Sequence, residues 1–254
     1  MQVKELKENL FLVSFDPIFL GEVLNYNIVL LLNDKNEAML IDTGFKRHFN
    51  QLKKYLDDKN ITIIKVIITH FHRDHIGGLS KLNDVVKYGS KKADITLAPN
   101  FENKSFDIYK PTICIDDVLD IQFGNFDIHL SHNPGHSIDG LLVEIDNKFL
   151  VVGDDMIYTK DQEPMLPYCS NRDFEMHLKS IKRLKNEVID KTVIPMHGQP
   201  ESNIDYLQND LDNRYKYLQW KVNNKDKQNK EFEIESGIRF VDYSRIKKQN
   251  KKEL

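Results

Sequence analysis

Six consecutive residues, His70-Phe-His72-Arg-Asp74-His75, carry three imidazoles and a carboxylate. Protonated imidazoles this close repel one another, and neutral ones need a partner once buried. A divalent cation meets both needs, because it accepts nitrogen and oxygen donors together at about 2.0–2.2 Å. His70 and His72 stand two apart, so an extended or turning backbone brings both rings to one side, while Asp74 and His75 point elsewhere. Two neighbouring cations, each taking part of the loop, fit this pattern better than one. Further ligand-type residues stand beside Gly or Pro, where the backbone can approach a cation closely, in Pro134-Gly135-His136-Ser137, Gly153-Asp154-Asp155 and Pro195-Met196-His197-Gly198. The other histidines, His48, His129, His132 and His177, are read as ordinary core or surface residues.

The elements that must position these residues are legible in the apolar pattern. Residues 8–14, 27–32 and 38–42 read as strands, with Asn33-Asp34-Lys35-Asn36 as the turn between the second and third. Phe49, Leu52 and Leu56 share a helical stripe over 45–56, and the β-branched run 61–69 reads as a buried strand that ends where the histidine motif begins. Gly77-Gly78 leads into a short helix to about Leu82. Residues 118–123 and 126–130 flank Gly124-Asn125, and 141–145 and 149–152 flank Asp146-Asn147-Lys148. Both pairs predict hairpins in a second, mostly antiparallel sheet. A helix is predicted over 171–185, capped by Ser170 or Asn171, then a short strand at 192–195, a polar helix over 203–221 and a strand near 232–240. The expected organisation is a single domain over 1–254, with a basic, frayed tail from about 245.

Composition narrows the classes of function. The chain has 254 residues, 40% of them apolar and 30% charged, enough for a sizeable globular core. A formal charge of −3 gives no general attraction to nucleic acid or to an anionic membrane. No apolar run approaches the roughly 20 residues of a membrane span, and the charged N-terminus argues against an export signal. With only Cys114 and Cys169, no disulfide framework is indicated and a cytoplasmic location is expected.

From about Leu40 to Pro200 the order of these motifs resembles that of the metallo-β-lactamase-fold hydrolases, with their H-x-H-x-D-H sequence, downstream His, bridging Asp and final His. The resemblance implies an α+β fold, a four-layer αβ/βα sandwich. It also implies that His70, His72 and His136 hold one metal and Asp74, His75 and His197 the second, with Asp42 behind a ligand histidine. The shared carboxylate would be Asp155, because Tyr158 stands three residues beyond it as an aromatic does in the family; Asp154 is the alternative. Asp155-Met-Ile-Tyr158-Thr-Lys looks like the same region of the N-acyl homoserine lactone lactonases, which would set Tyr158 over the metals against the substrate carbonyl. Asp74 and Tyr158 would then be the catalytic side chains.

The cofactors so implied are two divalent ions, zinc by default, with manganese, iron or cobalt able to replace it. They would make a bridging hydroxide available near neutral pH to attack a lactone or related ester. A hydroxyacylglutathione-type thioesterase and a mononuclear iron persulfide dioxygenase are the alternatives. A nuclease is disfavoured by the charge, a β-lactamase proper by the N-terminus, and a relic binding site by the full ligand set. The partner expected is a small-molecule substrate, with no nucleic acid and no membrane. The loops around Phe15–Phe19 and Met165–Tyr168 are the expected pocket walls. Oligomeric state is not legible.

Overall fold

The computed structural model describes residues 1–16, 23–100, 106–170 and 172–242, which form two sheets with helices on their outer faces. The first sheet has seven strands in chain order: β1 (Gln2–Lys7), β2 (Leu10–Phe15), β3 (Tyr26–Leu32), β4 (Glu37–Ile41), β5 (Thr62–Ile67), β6 (Val86–Ser90) and β7 (Ile113–Ile115). Pairing is antiparallel as far as β4 and parallel from there on. The second sheet contains β8 (Val118–Phe123), β9 (Phe126–His132), β10 (Leu141–Ile145), β11 (Phe149–Val151) and β12 (Thr192–Ile194). Its pairs are antiparallel except β11 with β12.

Period-two alternation explains the layering. In β4, Met39 and Ile41 join the cluster between the sheets, while Ala38 and Leu40 face α1 (Lys46–Asp57). In β10, Leu141, Val143 and Ile145 enter the same inter-sheet core, and Leu142 faces the opposite helices. Each such fully buried side chain contributes about 1.5–3 kcal/mol relative to exposure. With α1, the short helices α2 (Arg73–Ile76) and α3 (Ala93–Leu97) cover the first sheet. The second is covered by α4 (Phe174–Glu187), α5 (Ile204–Asn223) and α6 (Asn229–Ser236). This is the expected four-layer sandwich.

Three expectations are corrected. Residues 232–240 do not form a strand. Glu231 accepts from the Gln228 backbone N–H at 3.0 Å, and Gly237 stops the chain at φ 72°, so these end signals select a helix, α6. The cap of α4 is Asp173, which accepts from Met176 N at 2.9 Å, rather than Ser170; Asn171 lies outside the described residues. In place of the short helix expected after Gly77-Gly78 there is a single 3₁₀ turn at Leu79–Lys81, while α2 begins inside the histidine motif and ends before the two glycines. The basic tail from 245 and residues 17–19 of the first expected pocket wall also lie outside the described residues. Neither Cys114 nor Cys169 is in a disulfide.

Candidate metal centre

The chemistry-bearing residues all follow the C-terminal ends of strands. Asp42 follows β4, and Thr69 to His75 follow β5. His136 sits in the turn from β9 to β10, Asp154 and Asp155 follow β11, and His197 follows β12. Both sheets therefore deliver ligands to one edge of the sandwich, where the ladders end and polar groups need other partners.

Two groups of donor atoms form there. His70, His72, His136 and Asp154 make one; Asp74, His75, His197 and Asp154 make the other, and within each group the atoms lie within 4.8 Å of one another. In the first, His70 Nε2 and His136 Nε2 stand 2.9 and 3.1 Å from His72 Nδ1. Asp154 lies between the groups. Its Oδ2 is 3.7 Å from His70 Nε2 and from His136 Nε2 and 3.4 Å from His75 Nε2, while its Oδ1 is 3.5 Å from His197 Nε2.

The groups behind the rings decide which nitrogens face the centre. A carbonyl can only accept, so His197 Nδ1–H donates to Asn25 O at 2.7 Å and His136 Nδ1–H to Tyr168 O at 3.1 Å. His75 Nδ1–H donates to the Asp42 carboxylate at 2.7 Å. Thr69 spends its hydroxyl proton on Asp42 Oδ2 at 2.7 Å, so at 3.2 Å it accepts from His70 Nδ1–H. Four rings are thus held with Nε2 turned inward, the arrangement that outer hydrogen bonds impose on metal-binding imidazoles. Asp42 adopts φ 61°, a conformation that costs a non-glycine residue energy, and is held there by three donors: Thr69 N, Thr69 Oγ1 and His75 Nδ1.

Charge points the same way. Burial opposes a proton on His197, yet the charges of Asp154, 3.5 Å away, and of Asp74 raise its pKa to about 10. Burial also works against His75, but Asp154 and Asp42 lift it well above the usual imidazole range. Asp74 is lowered to about 2 despite burial, through His75 and His197. In the first group burial prevails and His136 falls to about 3. The carboxylates require positive charge among inward-facing nitrogens, and His75 Nε2 and Asp154 Oδ1 are buried without a hydrogen-bond partner. Nitrogen and oxygen donors, an orphaned atom in each residue type and preset tautomers fit divalent cations.

The structure brings together His70, His72, Asp74, His75, His136 and His197 as the motifs suggested, with Asp42 behind His75. Two expectations do not hold. Asp155 belongs to neither donor group: its Oδ2 accepts from Asn133 Nδ2 at 2.7 Å and its Oδ1 from His136 N at 3.0 Å. Gly153, at φ 56°, turns the chain so that Asp154 enters the centre and Asp155 is directed under the 133–137 loop. Tyr158 does not lie over the centre. It is fully buried, and its hydroxyl donates to Asp210 Oδ2 at 2.7 Å, with the Arg214 guanidinium 5.4 Å from its ring.

His48, His129, His132 and His177 lie outside both groups. Sequence reasoning missed Asn25, Thr69, Asn133 and Asp139. Thr69 is adjacent to the motif and Asp139 lies three residues after His136. Asp139 accepts from Phe71 N at 2.9 Å and Thr96 Oγ1 at 2.8 Å, fixing the backbone between two ligand segments.

The family model described as the metallo-beta-lactamase superfamily matches residues 21–197, and the chain belongs to that superfamily of metallohydrolases. A hydroxyacylglutathione hydrolase of Pelagibacter ubique is 28% identical over 53% of this chain, which spans about half, 52%, of that relative. One from Francisella philomiragia is 22% identical over 74% of this chain and 69% of its own length. The bovine acyl-coenzyme A thioesterase MBLAC2 is 20% identical over 66% and 72%. Among solved structures, a metallo-beta-lactamase from Pontibacter korlensis superposes with a TM-score of 0.69 at 21% identity, over 86% of this chain and 98% of that one. Among the described residues no helix is long and apolar enough to cross a membrane.

Proposed function

We propose that the chain is a dinuclear metal-dependent hydrolase of a small-molecule ester-type bond, with thioesters the leading substrates and lactones second. The observation that carries this is the position of Asp154, one carboxylate within ligand reach of both donor groups. His70, His72 and His136 would hold one divalent ion with it, and Asp74, His75 and His197 the other. Bound there, the ions supply Lewis acidity at the scissile carbonyl and lower the pKa of water toward neutrality. Zinc suits the donors, as do manganese, iron and cobalt.

The protein's own part is positioning. Asp42, Thr69, Asn25 and the Tyr168 carbonyl fix ring orientations, so little reorganisation is needed during reaction. Asp74, 25% exposed at its side chain and held ionised, can accept a hydrogen bond from the attacking water. The water oxygen bonds to the carbonyl carbon, the C–S or C–O bond breaks, and a proton passes to the departing sulfur or oxygen.

Thioesters lead for two reasons. The similar hydroxyacylglutathione hydrolases and acyl-coenzyme A thioesterase are thioester hydrolases by name. The tyrosine that motivated the lactone reading is tied to Asp210 instead. Metal analysis joined to turnover of a panel of thioesters, lactones and a β-lactam tests this. About two zinc-like ions per chain with thioester turnover is the expected result. Two bound ions with no turnover of any panel member would overturn it, and one iron with oxygen uptake on glutathione persulfide would replace it with a dioxygenase.

A further inference from the structure

A cavity of about 740 Å³ starts at His136 and runs between the 165–172 segment and the α5–α6 pair. Its volume suits a small organic ligand. The near end is framed by Tyr168, whose ring lies 5.5 Å from that of His136 and is 58% exposed. Beyond it the wall is apolar, formed by Ile157, Met165, Leu166 and Phe174. This is the second of the two pocket walls expected from sequence.

The far end has a different chemistry. Lys221, itself only 7% exposed, reaches into the lining with its Nζ 5.8 Å from the Phe174 ring, and it donates to Lys227 O at 2.7 Å. Arg172 lines the same cavity; burial first and then Arg172 lower the Lys221 pKa, against Asp226 and Glu231, which raise it. Among the described residues neither cation has a carboxylate at ion-pair distance. Asp242, also in the wall, receives Asn229 Nδ2 at 3.4 Å. A largely buried ammonium with an exposed guanidinium beside it and no paired carboxylate is stabilised when an anion joins them.

We propose that this cavity is the substrate pocket and that the substrate carries an anionic group joined to its scissile bond through a short apolar chain. The wall takes the chain, and Lys221 with Arg172 takes the anion. This rests on the reading of the His136 edge as the hydrolytic centre. The anion can belong to the acyl part or to the leaving thiol, and the chemistry at Lys221 is the same for either.

Three thioesters separate the cases on the zinc-loaded 254-residue chain: the S-ethyl half-thioester of adipic acid, the hexanoyl thioester of 3-mercaptopropionate and uncharged S-ethyl hexanethioate. One of the two anionic compounds should exceed the uncharged one by about tenfold or more in kcat/KM. Arg172→Gln and Lys221→Met should each shrink that advantage, chiefly through KM. Equal or better turnover of the uncharged compound, or an advantage that survives in both variants, would overturn the proposal. Lys221 also ties the α5–α6 turn, so if Lys221→Met does not fold, Arg172→Gln, a change at an exposed residue, decides alone. If none of the three thioesters is cleaved, the pocket is judged apart from turnover, by calorimetry with hexanoate and 1-hexanol. Hexanoate binding that exceeds hexanol binding and weakens in Arg172→Gln supports the pocket; no such binding, or binding indifferent to the variant, removes it.

Discussion

The Asp155 carboxylate accepts the backbone N–H of His136 at 3.0 Å, and the same oxygen lies 2.6 Å from where a Cβ on Gly135 would sit. A side chain adjacent in sequence to Asp154, which both donor groups share, thus acts as the floor under the donor His136. Ser180 Oγ, donating to Pro134 O, and Cys169 Sγ, donating to Gly135 O, hold the same loop from α4 and from the 165–172 segment. Replacing Asp155 by Ala should loosen His136 and weaken metal binding by about 10- to 100-fold, as loss of a supporting partner does elsewhere. Competition with a chromophoric chelator reads this directly. Affinity equal to that of the unaltered chain would show that the loop holds without its floor.

Asp154→Ala should act more severely, because both donor groups lose a member. We expect bound metal to fall to about one ion or fewer per chain. Elemental analysis after gel filtration measures it. Retention of both ions would mean that the groups are independent of the carboxylate between them.

Tyr158→Phe should leave metal content and turnover unchanged and reduce stability by about 1–2 kcal/mol, because it removes only the hydroxyl bond to buried Asp210. Asp210→Ala should cost more, about 3–5 kcal/mol. Arg214, 1% exposed and paired with Asp210 at 2.8 Å, would keep its charge in the interior with no counterion there. Urea denaturation ranks the two. A large loss of kcat in Tyr158→Phe would return this tyrosine to the chemistry.

Stability should respond to pH in opposite directions with and without metal. In the chelated protein His197 titrates at about 10, above the unfolded value near 6.5. The folded state therefore binds more protons between these values, and the contribution, complete below about pH 6.5, is lost as pH rises through about 10. In the loaded protein, protons compete with metal for the same nitrogens, so raising the pH from about 6 to about 8 should strengthen binding and raise Tm. Thermal scans with zinc and with chelator should cross. Parallel trends would contradict the charge balance assigned to His197.

The six donor residues outside the Gly153-Asp154-Asp155 turn, which the structure brings into the two groups, stand in short motifs at strand ends, where few other reasons exist for such residues. Asp154 and Asp155 could not be separated in one dimension: they are neighbours, and the positive φ of Gly153 determines which one faces the edge. Tyr158 was misplaced because its partner, Asp210, lies 52 residues later on α5. At the C-terminus, Phe232-Glu-Ile alternates like a strand, yet Ile234 is 74% exposed and only Phe232 packs. The end signals at Gln228 and Gly237 outweighed the alternation. Strand β1 escaped notice because Gln2–Lys7 is an edge strand with no fully buried residue, so it lacks an apolar signature.

Asp42, Thr69, His70, His72, Asp74 and His75 arrive from one sheet, while His136, Asp154 and His197 arrive from the other. Cations seated among them would rivet the two halves of the sandwich across their rim. Neither half can then assemble its half of the centre alone, and the ability to catalyse would emerge only at the last step of folding, when the two leaves close.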